Sequence, residues 1–170
     1  MKYKFSINIV YNMVCYNHNK QKFQKGSGVL DSLLKVFTVE RYPGERHARS
    51  LAPSTFGQPM NFMGPGTRLD IRLDANGQPL PNSTPLNSSD YESYIHDKNY
   101  KNAKDDCMKN PTSVNKKVQM QKVWDADAKF IDAMNNDNEE PMAPIAGKLI
   151  QLKKIGEQLG APTIFRFWCY

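Results

Sequence analysis

The sequence predicts a small, mostly α-helical domain built on two long helices, with a glycine-rich loop ahead of the first. Three observations lead there. The stretch from Ser88 to Asp106 opens with a capping box, Ser89 followed by Glu92, with Pro85 just upstream of it. Residues 113–136 place Met120, Val123, Phe130, Ile131 and Met134 on one face at a spacing of about 100° per residue, and a helix starts at or near Ser113. Between them and the N-terminal third lies F-M-G-P-G-T-R-L-D, residues 62–70, whose Gly64-Pro65-Gly66 turns backbone groups inward without side-chain obstruction.

Composition narrows the function classes. A chain of 170 residues is the size of one domain, and 39% apolar residues fill a small core, while 11 prolines and 10 glycines imply much loop. No apolar run approaches a membrane span, and the mean hydropathy of −0.65 argues against an integral membrane protein. The formal charge of +6 favours anionic partners, either nucleic acid or an anionic lipid surface. No nucleic-acid motif accompanies that charge, so nucleic acid is not expected. Cys15, Cys107 and Cys169 are scattered and odd in number, so folding without disulfide support is expected.

In chain order, residues 1–26 form an N-terminal arm. Its apolar stretch faintly suggests a signal peptide, but Asn8 and Asn12 interrupt it, and a short strand or disordered arm is the better reading. The polar run from Asn17 to Gly28 is a linker. Residues 29–39 form a short amphipathic helix, with Leu30, Leu33, Leu34 and Phe37 as its stripe and Asp31 and Lys35 as an ion pair; core packing is the plain reading and a lipid-facing helix the sharper one. Residues 40–61, with Arg41, Arg46, Arg49 and three prolines, read as solvated loop, and His47 has no evident partner. Asn76-Gly77 marks a turn within 74–85.

The helix from Ser88 carries His96, Asp97 and Tyr100 within one turn. His96 and Tyr100 share a face, whereas Asp97 points about 100° away. An imidazole and a carboxylate aimed apart suit a general base and a cation ligand, although a solvated His-Asp pair is the blander alternative. In the second helix Asp127 falls inside the apolar stripe, while Asp125 and Asp132 project from the opposite side. An ionised carboxylate in a core stripe is costly unless hydrogen-bonded, so Asp127 needs a partner. The plainer alternative is an Asp at the edge of the core reaching water, and Asp127→Asn is expected to raise thermal stability because a carboxylate in an apolar stripe is expensive. After an acidic loop at 135–144, residues 145–159 make a third helix with an apolar face (Ile145, Leu149, Leu152, Ile155, Leu159) and a basic one (Lys148, Lys153, Lys154), solvated or facing lipid phosphate. Residues 161–170 are an aromatic tail.

The loop G64-P65-G66, the segment N87-S88-S89-D90 and the helix motif H96-D97-K98-N99-Y100 together resemble the phospholipase A2 superfamily. The closer resemblance is to the phospholipase A2 domain of parvovirus and densovirus minor capsid proteins and to related sequences of invertebrate mobile elements. It spans roughly residues 27–160. Phe62 stands where that loop usually has Tyr, Ser88 replaces the proline of N-P-x-D, and residues 74–85 are longer than in the viral domains. The resemblance implies two long antiparallel helices behind a calcium-binding loop. It implies Ca²⁺ held by the carbonyls of Phe62, Gly64 and Gly66 and by Asp97, with His96 as general base. Asp127, in A126-D127-A128-K129-F130, would orient His96, with Tyr100 in the same network and the Gly64 amide at the oxyanion. The implied reaction is hydrolysis of the sn-2 ester of glycerophospholipids at a membrane surface. In a virus the domain would belong to a larger capsid polypeptide in the virion and serve membrane penetration; a cellular copy would be intracellular or secreted. The alternative is a membrane-binding module of the same fold that no longer catalyses.

Overall fold

A computed structural model describes residues 38–158 apart from Gly44 and Pro65. The N-terminal arm, most of the helix expected at 29–39 and the aromatic tail lie outside the described residues. Thr38 and Val39, the last two positions of that helix, belong instead to a strand. The order is β1 (Thr38–Tyr42), β2 (Glu45–Ala48), the one-turn helix α1 (Leu69–Arg72), α2 (Ser88–Lys109), α3 (Ser113–Asn136) and α4 (Ala143–Gln158). The described residues are mostly helical, as expected, with one two-stranded sheet. No helix among them is long and apolar enough to cross a membrane.

The hairpin corrects the reading of 40–48 as loop. β1 and β2 pair antiparallel, Thr38 opposite Ala48 and Val39 opposite His47, with an irregularity between Glu40 and Tyr42. The strands escaped notice because their inward positions are polar: Glu45 and His47, two apart on one face, are both buried. His47 Nε2 lies 2.7 Å from Glu45 Oε1, so it does have a partner. Arg72 Nε and the Arg68 N–H donate to the same oxygen, each at 3.0 Å.

Burial by itself raises the pKa of Glu45, but hydrogen bonds from His47, Arg72 and the Arg68 N–H outweigh it and bring it down to about 2. A depressed folded-state pKa gives stability that is complete above the unfolded value of 4.5 and is lost as the pH falls through about 2. The full shift corresponds to on the order of 3 kcal/mol. Glu45→Gln should therefore be less stable than wild type near pH 5, yet lose less on acidification to about pH 2.5. Urea midpoints at the two pH values check this, and equal acid losses in both proteins would remove Glu45 from the account.

α2 starts one residue ahead of the proposed cap. Asn87 is the N-cap and its Oδ1 accepts the Asp90 N–H at 3.0 Å, whereas Ser88 and Ser89 donate their hydroxyls to Asp137 Oδ2. Thr112 caps α3, where Asn115 N–H donates to its hydroxyl at 3.2 Å. The three residues between Lys109 and Ser113 turn the chain back, so α2 and α3 pack side by side as an antiparallel pair, and α4 packs on α3. Met60, Met63, Phe130, Met134, Met142, Ala146 and Ile150 form the core where loop, α3 and α4 meet.

Two further expectations are corrected. α4 does not bury its Leu/Ile stripe: Ile145, Leu152 and Ile155 are exposed, and the inward side is Ala143, Ala146, Gly147, Ile150 and Lys153. A small-residue face permits closer approach to α3; a Cβ on Gly147 would sit 3.0 Å from that of Met134. Cys107, fully buried on α2, is disulfide-bonded, contrary to the expected absence of disulfide support; the chain's other two cysteines lie outside the described residues. The 74–85 segment behaves as read. Gly77 takes φ +72°, its N–H donates to Asp74 O at 2.9 Å, and its carbonyl accepts the Tyr94 hydroxyl at 2.7 Å.

Candidate active site

The antiparallel packing of α2 on α3 brings His96 and Asp127 together midway along both helices. Each is buried, and His96 Nε2 lies 3.0 Å from Asp127 Oδ1. The partner that the apolar stripe demanded of Asp127 is thus His96, and Tyr100 and a lysine join it. Tyr100 donates its hydroxyl to Asp127 Oδ1, and Lys153 Nζ donates to Asp127 Oδ2 at 3.1 Å. The imidazole is held between two rings, with centroids 4.5 Å from Tyr100 and 4.7 Å from Phe130. Asp125 is exposed and accepts only from Gln121 at 2.8 Å among its described hydrogen bonds, so the two helix faces divide as the sequence implied.

Electrostatics push the pKa values of the pair apart. Burial raises the Asp127 pKa, but the His96 hydrogen bond and the Lys153 charge outweigh it and the net shift is downward. Burial lowers that of His96, while Asp127 and then Asp97 more than compensate, and the net shift is upward. The other ring nitrogen, His96 Nδ1, faces Asp97 Oδ1 at 3.6 Å, beyond a direct hydrogen bond. Burial pushes the Asp97 pKa up, and the proximity of His96 and Thr67 works against that without reversing it.

The glycine-rich loop meets this arrangement from the other side. Asp90, fully buried in the first turn of α2, accepts the N–H groups of Phe62 (2.7 Å) and Met63 (2.9 Å) on Oδ1 and those of Asn61 and Leu86 (each 2.8 Å) on Oδ2. The loop is also laced to β2, Ala48 N–H donating to Met63 O at 2.7 Å and Met60 N–H to Ala48 O at 2.9 Å. Gly64 lies so close to that strand that a Cβ would stand 1.9 Å from Arg46 O and 2.7 Å from His47 Cα, and no other residue fits there. Gly66 adopts φ +81°.

Of the oxygens proposed for a cation, the carbonyls of Phe62 and Gly64 converge: both lie 3.0 Å from the Thr67 hydroxyl. Asp97, near the same Thr67, has a buried Oδ2 with no hydrogen-bond partner among the described atoms. Two inward carbonyls beside an orphaned carboxylate oxygen are the donors a hard cation such as Ca²⁺ takes. No group of three or more His, Cys, Asp or Glu side chains that could hold a metal occurs among the described residues, so a cation here would depend on backbone oxygen. An apolar cavity of about 20 Å³, room for one water, adjoins His96 and is lined by Phe62, Gly64, Phe130 and Ile150.

His96, Asp127, Tyr100 and Asp97 are therefore brought together, with Phe62 and Gly64 alongside. Lys153, Thr67 and Asp90's role as a clamp were missed. Lys153 was assigned to a solvated basic face, yet it is 3% exposed. Its signal was available in the i, i+4, i+7 spacing of Ala146, Ile150 and Lys153, which puts the lysine on the same side of the helix as the small residue Ala146. Comparison of the chain with family models, curated proteins and solved structures finds no match.

Proposed function

We propose that the chain is a calcium-dependent phospholipase A2 that hydrolyses the sn-2 ester of glycerophospholipids at a membrane surface. The observation that carries this reading is the orientation of one ring. His96 is tied through Nε2 to a buried carboxylate and offers Nδ1 toward Asp97. A carboxylate that orients an imidazole leaves its far nitrogen as the base, and a water placed there becomes the nucleophile. The proton of that water passes to Nδ1 as its oxygen bonds to the ester carbonyl carbon. The same nitrogen then returns the proton to the departing lysophospholipid oxygen. Asp127 stabilises the imidazolium in between, and the Gly64 N–H is the donor we assign to the developing oxyanion. When bound by Phe62 O, Gly64 O, Gly66 O and Asp97, Ca²⁺ would supply Lewis-acid polarisation of the substrate's oxygens. The apolar walls of Phe62, Phe130 and Ile150 keep bulk water from the base.

Hydrolysis of phosphatidylcholine vesicles, with calcium and with excess EGTA, tests the reading. Release of the sn-2 fatty acid that stops on chelation supports it. Vesicle binding without release would instead favour the non-catalytic membrane module. Asp97→Asn should weaken Ca²⁺ binding and turnover together, at least tenfold, because it removes the charged ligand while preserving shape. Calorimetric titration of Ca²⁺ alongside the assay checks the coupling; a variant that keeps activity but loses calcium affinity would contradict the assignment. Mg²⁺ should replace Ca²⁺ poorly, since it demands near-octahedral geometry and dehydrates reluctantly.

A further inference from the structure

We propose that Lys153 of α4 is a positioning residue of the hydrolytic site: as a donor-only cation it sets the direction of the hydrogen bonds that reach His96. This rests on the hydrolase reading above for its kinetic half and on the geometry alone for its structural half. Lys153 Nζ lies 2.5 Å from the Tyr100 hydroxyl, 3.1 Å from Asp127 Oδ2 and 3.0 Å from Glu157 Oε1. An ammonium has three donors and no acceptor, so the Tyr100 oxygen must accept from it. The single Tyr100 proton is then left to point at Asp127 Oδ1, where the structure places it. An ionised Asp127 is acceptor-only, so it can take a hydrogen bond from His96 Nε2 but cannot give one. In the neutral imidazole, Nε2 therefore carries the hydrogen and Nδ1 the lone pair. The chain of donors runs Lys153 to Tyr100 to Asp127, and meets the His96 N–H at the same carboxylate.

Removing the cation releases each constraint. Tyr100 could turn its proton elsewhere. Asp127, buried in an apolar helix stripe without its positive neighbour, could hold a proton itself and donate to Nε2. That would place the hydrogen of the neutral ring on Nδ1, where the base has to be free. The consequence is loss of turnover through the wrong tautomer, with no substrate contact disturbed, because Lys153 lies on the far side of Asp127 from Nδ1.

The test compares Lys153→Gln, Lys153→Met and Lys153→Arg with wild type in the full chain. Gln can accept as well as donate, Met can do neither, and Arg is again a donor-only cation. On mixed micelles with calcium, Gln and Met should lower kcat by about tenfold or more with KM changed less than about twofold, and Arg should recover part of the loss. In an Asp127→Asn background, Lys153→Gln should cost little more. Independently of activity, two-bond ¹⁵N–¹H correlation spectra of the imidazole near neutral pH should show the Nε2–H form in wild type and Arg, and the Nδ1–H form gaining population in Gln and Met. If Met does not fold, Gln decides. A folded Gln variant with wild-type kcat and an unchanged tautomer would overturn the proposal. If wild type hydrolyses no phospholipid, the hydrolase reading fails, and the spectra still decide whether Lys153 sets the tautomer.

Discussion

His96→Asn should abolish fatty-acid release while leaving the helical content intact. The side chain projects from the middle of α2, whose ends are held elsewhere: Asn87 caps the start and Asn110 N–H closes the last turn on Asp106 O at 3.3 Å. Asn fills part of the space between Tyr100 and Phe130; its amide is too short to replace Nε2 at Asp127, but Asp127 keeps its hydrogen bonds from Tyr100 and Lys153, so the helix pair survives. It has no nitrogen basic enough to take a proton from water. The expected loss is the full contribution of general-base catalysis, on the order of 10²–10⁴. Fatty-acid release from phosphatidylcholine vesicles, read beside far-UV circular dichroism, is the measurement. Near wild-type turnover in a folded variant would mean that another group is the base.

Asp127→Asn should cost about 10²-fold or more in kcat with little change in KM, because the residue positions and stabilises His96 without touching substrate. Asp125→Asn, two residues away on the exposed face, should change neither. The expectation for stability reverses between sequence and structure. A lone carboxylate in an apolar stripe is expensive, and its neutralisation should stabilise. Here the carboxylate faces a buried lysine at 3.1 Å and also accepts from Tyr100 and His96. Neutralising one partner of a buried pair leaves the other charge poorly compensated, so a lower melting temperature is expected, with a cost of up to about 3–5 kcal/mol. Glu157, the remaining partner of Lys153, moderates that figure. A kcat loss at Asp125 equal to that at Asp127 would mean that the active-site pairing is wrong. A raised melting temperature for Asp127→Asn would mean that Lys153 does not stabilise it.

What was legible depended on whether a residue's neighbours lay nearby in sequence. The α2 and α3 helices declare themselves through caps and period, and Asp127 is conspicuous because its chemistry contradicts its position in the stripe. The hairpin is invisible to a hydrophobic pattern because its inward residues, Glu45 and His47, are charged or polar and are compensated by Arg72, which lies 25 or more residues further on. The face of α4 was misjudged for a related reason. Leucine and isoleucine suggested the core, but α4 packs closely on α3 through Ala143, Ala146 and Gly147, and the larger residues are turned outward. Lys153 could be placed only after Asp127 had been recognised as a buried charge in need of a counterpart.

The separation of loop and helix duties in this chain has a bearing on its evolution. Twenty-odd residues run from the glycine-rich loop to α2, including the extended 74–85 excursion. The distance between the loop carbonyls and His96 does not depend on their number. Asp90 grips Asn61, Phe62 and Met63 from the first turn of the same helix that carries the imidazole six residues later, so that loop and base are registered through one side chain. Apart from Thr67, Arg68 and Arg72 at its start and the Gly77 carbonyl that takes the Tyr94 hydroxyl, the intervening segment is released from that metric duty. It can lengthen, shorten or acquire a new sequence among descendants of this gene while the geometry around His96 stays constant, whereas a change at position 90 would unfasten both halves at once.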